Sequence, residues 1–240
     1  MNIYKLSKTA IMFRNNPAKL LNGITTNSLD SPRNAFVDMA GRIVATFEQI
    51  NLNPDEVLIL VENSAVDNMK KHLEKYLLLS KTKMEIADFN VYFDLDSSYN
   101  ISDGEFSVQL RKGKLIVTKK SPEPSVSYEE FALFRVENNI PLQGIDYNNE
   151  MLLNVSDEFV SFTKGCFLGQ EILARVHNLG KPPKKLAVMY ADECNEDELK
   201  RMTSRIVEKK TGRLKGFVFV ENKKLFEENR NGVYAVCKKD

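Results

Sequence analysis

The apolar runs in the N-terminal half are short and read as strands and hairpins with a few helices. Residues 9–13 form a strand pattern, and Pro17 then opens a short helix through Leu20 and Leu21 that stops near Gly23. Segments 34–39 and 42–50 flank Ala40-Gly41, which predicts a hairpin whose glycine takes a positive φ. Residues 56–61 are a short buried-strand candidate. Ser64, with Asp67 three residues on, resembles a helix N-cap. Val66, Met69, Leu73, Tyr76 and Leu77 follow at helical spacing, which predicts an amphipathic helix. Lys70, Lys71 and Lys75 mark its solvated face, and His72 among them is expected to be exposed.

Further strands are predicted at 83–89, 91–95, 106–110 and 115–118, the last two joined around Lys112-Gly113. Residues 119–127 contain Pro122 and Pro124, lack an apolar period and read as a loop. Ser127 and Glu130 make a capping box for a helix carrying Phe131, Phe134 and Val136, which Asn138-Asn139 and Pro141 end. Beyond Lys181-Pro182-Pro183, short strands dominate at 185–190, 204–207, 214–220 and 233–237, with Thr211-Gly212 as a turn. The expected architecture is α+β, with antiparallel sheets and flanking helices over 1–180. A short β-rich unit, a small barrel or docked sheet, follows over 181–240.

Composition narrows the function. Lys and Arg (34) nearly cancel Asp and Glu (33), for a net charge of +1 over 240 residues. A chain so balanced is not built to neutralise many phosphates, so no direct nucleic-acid partner is expected. No apolar run approaches the roughly 20 residues of a membrane span, and no membrane partner is expected. Cys166, Cys194 and Cys237 are odd in number and far apart, which gives no disulfide framework. With only His72 and His177, a zinc site has few ligands available, and no metal held by this chain alone is expected. The first residues lack the pattern of a secretory signal, so a cytoplasmic location is expected.

One segment stands apart. Lys164-Gly165-Cys166-Phe167-Leu168-Gly169-Gln170-Glu171 precedes a helix suggested by Ile172, Leu173, Val176 and Leu179, with Gly180 as its stop. The helix dipole and the Lys164 charge would both favour thiolate at Cys166. Gly165 and Gly169 permit left-handed backbone or close approach of a ligand. Glu171 lies in the first turn, where a helix favours an acid. A lone cysteine is more often a small packing residue than a nucleophile, and one thiol cannot hold an iron–sulfur cluster alone. These residues by themselves leave both readings open. Of the other thiols, Cys194 follows Asp192-Glu193, which disfavours thiolate, and Cys237 has no activating neighbour.

The Lys164–Glu171 segment resembles the K-G-C-[FY]-x-G-Q-E signature of the YgfZ family of folate-binding proteins. That family is related to the glycine-cleavage T-protein and associated with iron–sulfur enzyme maturation. Phe134-Arg135-Val136-Glu137 with Ile140-Pro141-Leu142-Gln143-Gly144-Ile145-Asp146 is similar to the family's R-x-E…G-x-D region. Leu20-Leu21-Asn22-Gly23-Ile24-Thr25-Thr26-Asn27 and Asp38-Met39-Ala40-Gly41-Arg42-Ile43 resemble its N-terminal segment and hairpin. The resemblance implies a T-protein-like fold binding tetrahydrofolate or a one-carbon derivative, with Glu137 on the pterin edge. It also implies Lys184 near the glutamate tail and Arg175 as a further folate contact. Iron–sulfur enzymes or cluster carriers are the implied partners, transfer-RNA-modifying enzymes among them, with Cys166 the reactive thiol and Lys164 beside it. The T-protein aspartate falls, by ungapped count, on Met69, with Asp67 two residues short. That departure speaks against the alternatives' strongest form, a folate-dependent aminomethyltransferase. A plain folate-binding module, in which Cys166 only shapes the pocket, is the third reading.

Overall fold

A computed structural model describes residues 2–180 and 182–221. In chain order the elements begin with β1 (Ile3–Lys5), β2 (Lys8–Arg14), α1 (Pro17–Ile24), β3 (Arg33–Val37), β4 (Ile43–Asn53) and β5 (Glu56–Glu62). Next come α2 (Val66–Ser80), β6 (Lys83–Ile86), β7 (Asn90–Asp94), β8 (Phe106–Gln109), β9 (Lys114–Thr118) and α3 (Tyr128–Glu137). The chain continues with α4 (Leu152–Val155), α5 (Gln170–Asn178), β10 (Lys184–Tyr190), α6 (Glu196–Arg201), β11 (Thr203–Val207) and β12 (Leu214–Glu221). The strand expected at 233–237, Cys237 within it, and Lys181 lie outside the described residues.

Among the described residues three antiparallel sheets carry the fold, ordered β3-β4-β5-β2-β6, β1-β7-β9-β8 and β10-β12-β11. The first sheet is apolar on both faces, and its strands show why. On β2, Ile11 and Phe13 face one core while Ala10 and Met12 face another; on β5, Val57, Ile59 and Val61 oppose Leu58 and Leu60. This period of two places α1 and α2 over one face, through Leu20, Leu21, Met69 and Leu73. The other face meets the second sheet and α3, through Val91, Phe93, Leu115, Val117 and Phe131. A third core gathers the far end of the β3–β4 hairpin, α4, Phe167, Leu173 and two residues of the C-terminal sheet, Leu186 and Phe217. No helix among the described residues is long and apolar enough to cross a membrane.

Most expected elements form, and the differences have local causes. The Ser127–Glu130 capping box is present on both sides. Ser64 does not cap α2: residues 63–65 make a 3-10 turn, so the helix starts at Val66 with no side-chain cap. His72 is partly buried beside Tyr76 rather than exposed, and that burial lowers its pKa. The strand expected over 83–89 ends at Ile86. Leu179 is exposed past the end of α5, so it does not extend that helix's buried face. The very short β1 and α4 have too few residues to show a period, and α6 is held by a capping box between Asn195 and Glu198.

Arg135 of α3 is 1% exposed and holds the turn that follows it. Its Nη1 donates to Asp146 Oδ2 (2.7 Å) and to the Ile140 carbonyl (3.0 Å), and Nη2 donates to Ser204 Oγ (2.7 Å). Asp146 also accepts from Leu142 N (2.8 Å), Thr203 Oγ1 (2.8 Å) and Ser204 Oγ (2.5 Å). Both charges are out of water, so deleting one strands the other. Asp146→Ala is expected to cost about 3–5 kcal/mol of stability, read as a lowered midpoint in urea unfolding; a loss under about 1 kcal/mol would show that the pair is solvated.

Candidate functional site

The segment from Lys164 to Glu171 is fastened to the body of the protein at Lys164, Phe167, Leu168 and Gly169. Phe167 is buried in the third core with Val37, Ile43 and Leu173. Leu168 N donates to the Gly23 carbonyl (3.1 Å), and Lys164 Nζ donates to the carbonyls of Thr25 (2.7 Å) and Asn27 (3.0 Å). Gly169 has φ +81° as the N-cap of α5, and a Cβ there would lie 2.5 Å from the Asp38 carbonyl oxygen. Only glycine fits both demands. Gly41 receives Leu173 from the other side of the same contact, so hairpin tip and α5 lock together. Gly165 and Cys166 stay exposed. Gly169→Ala is therefore expected to lower stability by more than about 1 kcal/mol, measurable by thermal melting; an unchanged melt would mean the hairpin simply moves aside.

The Lys164 ammonium donates to two backbone carbonyls, with no carboxylate within ion-pair distance among the described residues. Desolvation pushes its pKa down to about 8 from 10.5. The sign follows: between pH 8 and 10.5 the folded loop holds the neutral amine while an unfolded lysine stays protonated, so stability rises with pH across that window. Competitive acetylation with peptide mapping is expected to show the Lys164 rate bending near pH 8; a rate that climbs unbent to pH 10 would count against it.

The remaining expected contacts are not brought together. Glu137 ends α3 and is exposed. Arg175 and Glu171 pair with each other on the surface of α5 (3.2 Å), one turn apart. Lys184 is tied to Glu150 (2.9 Å) over the Phe219 ring, beside an acidic groove that includes Glu196, Asp197 and Glu198. Met69 is fully buried core on α2 and Asp67 is exposed in its first turn, so neither presents a carboxylate inward. Cys194 is half-buried, its Sγ donating to the Tyr190 carbonyl (3.3 Å).

A charged cluster that the sequence reading passed over lies between the first two sheets. Lys8 Nζ sits 2.9 Å from Glu48 Oε2 and 2.8 Å from Glu62 Oε1, with all three side chains buried. Arg33 stands opposite Glu48 across the strands and its Nε, with no hydrogen-bond acceptor, is 3.8 Å from Glu48 Oε1. Burial alone would lower the Lys8 pKa, but the two carboxylates outweigh it and hold the ammonium above the ordinary lysine value. Burial pushes Glu62 up, with Lys8 opposing. These charges form the floor of a cavity of about 20 Å³, whose roof is apolar: Leu6, Phe93, Leu110, Leu115 and Leu142. The space suits about one water. Gln143, Thr46 and Tyr147 close one side, the Tyr147 hydroxyl 2.8 Å from Thr46 Oγ1, with burial raising the phenol's pKa. The signal was available: Lys8 shares the parity of Ala10 and Met12, and Glu62 that of Leu58 and Leu60, so both were due to point inward. Among the described residues no three of His, Cys, Asp or Glu gather as a metal site.

No family model matches the sequence. It is 27% identical to the mitochondrial iron–sulfur cluster assembly factor IBA57 homolog of Dictyostelium discoideum, over 70% of this chain and 57% of that protein. It is 25% identical to the tRNA-modifying protein YgfZ of Colwellia psychrerythraea, over 63% of this chain and 57% of that protein. An uncharacterized protein of Haemophilus influenzae is 21% identical over 75% of this chain and 65% of its own length. The matched stretch thus spans less than two thirds of each relative. Among solved structures, glycine cleavage system aminomethyltransferase T from Bartonella henselae superposes with a TM-score of 0.67 at 11% identity, covering 92% of this chain and 78% of that one. The fold is that of the aminomethyltransferase, and the relatives support the resemblance to the YgfZ family.

Proposed function

We propose that the chain is a tetrahydrofolate-binding accessory protein that supports assembly or repair of iron–sulfur clusters in client enzymes, transfer-RNA-modifying enzymes among them, and that Cys166 is its working thiol. The observation that carries this reading is the loop itself. Every neighbour of Cys166 from Lys164 to Gly169, Gly165 apart, is fastened to the body of the protein, while the thiol stays exposed. A packing cysteine would be inside, and a mobile one would not need Gly169 against the Asp38 carbonyl. The names of two relatives, a cluster assembly factor and a tRNA-modifying protein, support the client class.

We infer that the folate ring would bind in the cavity between the first two sheets rather than at Glu137. A flat heterocycle offers N–H donors to Glu48 and Glu62 and apolar faces to the opposing leucines. Entry requires the roof to part, since about 20 Å³ holds no ring. The transferase alternative lacks an inward carboxylate at Asp67 or Met69.

Two experiments test the reading. Calorimetry with tetrahydrofolate is expected to show binding that Glu62→Gln weakens by roughly 1.5–3 kcal/mol, the worth of a charged hydrogen bond; no binding at millimolar ligand ends the folate reading. Cys166→Ser is expected to keep folate binding and lose client-enzyme activity in cells. Brief iodoacetamide treatment should label Cys166 ahead of Cys194 and Cys237, and wild-type complementation by the serine variant would remove the thiol from the function. Turnover of a one-carbon donor in the presence of folate would favour the transferase instead.

A further inference from the structure

A second charged arrangement lies beside the cavity, next to its lining residues Arg33 and Phe159. Arg33 reaches it from β3 in the first sheet, and Arg111 from the turn between β8 and β9 in the second. Both guanidinium groups converge on one carboxylate, that of Glu158, with Arg33 Nη1 on Oε2 and Arg111 Nε 4.0 Å from Oε1. Arg33 also lies over the Phe159 ring (5.4 Å), and both Arg33 and Phe159 line the cavity. The inner side of the same guanidinium, Nε, is buried and has no acceptor. Glu48, the nearby inner carboxylate, is already engaged by Lys8. Without the Glu158 side chain, Arg111 would have no carboxylate within ion-pair distance among the described residues, and Arg33 would keep only Glu48 (3.8 Å), which Lys8 already engages.

We propose that Arg33 and Arg111 form a subsite for a carboxylate at the outer end of the cavity ligand, and that Glu158 occupies it when no ligand is bound. This rests on the folate reading, in which that carboxylate is the glutamate tail. Displacement needs only a side-chain rotation. The backbone of residue 158 is held independently, its carbonyl accepting from Asn27 Nδ2 (3.0 Å) and its N–H donating to Ser156 Oγ (3.2 Å). The Glu158 and Arg111 side chains are 39% and 55% exposed, so water can take over the released charges. A guanidinium pair also suits a carboxylate better than Lys184, a point charge already paired with Glu150.

The test compares two probes on the full chain by calorimetry: tetrahydrofolate, and 6-methyltetrahydropterin, which has the ring without the tail. Glu158→Gln, a change at an exposed loop position, is expected to tighten tetrahydrofolate roughly two- to tenfold and leave the tailless ring unchanged. Arg111→Ala is expected to weaken tetrahydrofolate by a similar factor, again without effect on the ring. Equal shifts for both probes, no shift for either, or weaker tetrahydrofolate binding in Glu158→Gln would each overturn the subsite while leaving the folate reading intact. Selective weakening of tetrahydrofolate by Lys184→Ala, with Arg111→Ala silent, would move the tail to the C-terminal sheet. If wild-type protein binds neither probe, the folate reading itself fails and takes the subsite with it.

Discussion

Arg135 and Asp146 set the geometry on which the cavity depends. The guanidinium lies out of water at the inner face of α3, and its acceptors are the Ile140 carbonyl and Asp146 carboxylate of the turn that follows and the Ser204 hydroxyl of the C-terminal sheet. A buried charge tolerates few alternatives to its partners, so the turn over 138–146 has one arrangement. That turn delivers Gln143 to β4. Strand β4 pairs with β5 only from Phe47 onward, which leaves the backbone groups of 43–46 on that side without a strand. Gln143 Oε1 accepts from Thr46 N (2.8 Å), Gln143 Nε2 donates to the Val44 carbonyl (3.2 Å), and Ile43 N donates to the Glu150 carbonyl (2.8 Å). A side-chain amide thus does the work of a missing strand, and the same turn brings Pro141 and Leu142 over the charged floor.

The C-terminal sheet is part of this arrangement. Thr203 and Ser204 complete the Asp146 carboxylate, and Phe217 and Leu186 enter the core that also takes Phe167 and Leu173. The loop bearing Cys166 is therefore braced through Phe167 by a core to which the hairpin, α4, α5 and the last sheet all contribute. Its exposure is that of a side chain on a fixed mount, with the position of the sulfur set by contacts distant in sequence.

Hydrophobic period made much of the architecture readable. Alternation on β2 and β5, the capping box at Ser127, and the turn glycines at Gly41 and Gly212 are local signals, and the corresponding elements stand where those signals put them. Ser64 misled because a 3-10 turn offers the same residues as a cap without the geometry. The segment 164–171 could be singled out, but the reason for Gly169 could not, since the Asp38 carbonyl that excludes a side chain lies 131 residues earlier. Lys164 illustrates the same limit: its neighbourhood in sequence suggested a charge for Cys166, and its neighbourhood in space is two carbonyls from the chain after α1. Glu137 follows Arg135 by two positions, and on a helix that separation turns one residue outward when the other is buried.

The charged floor gives the clearest case of information present but unread. A net charge of +1 says nothing about where charges sit, and here opposite charges face each other on neighbouring strands of a sheet whose same face is otherwise Ala10, Met12, Leu58 and Leu60. Lys8 and Glu62 are direct cross-strand partners, as are Arg33 and Glu48. The Lys8 ammonium is held at 2.9 and 2.8 Å by Glu48 and Glu62, whereas Arg33 Nε is buried without a hydrogen-bond acceptor. An apolar quartet of the same volume would often be at least as stable. Four charges thus stand against a leucine roof on a face where packing alone would be served as well by apolar side chains.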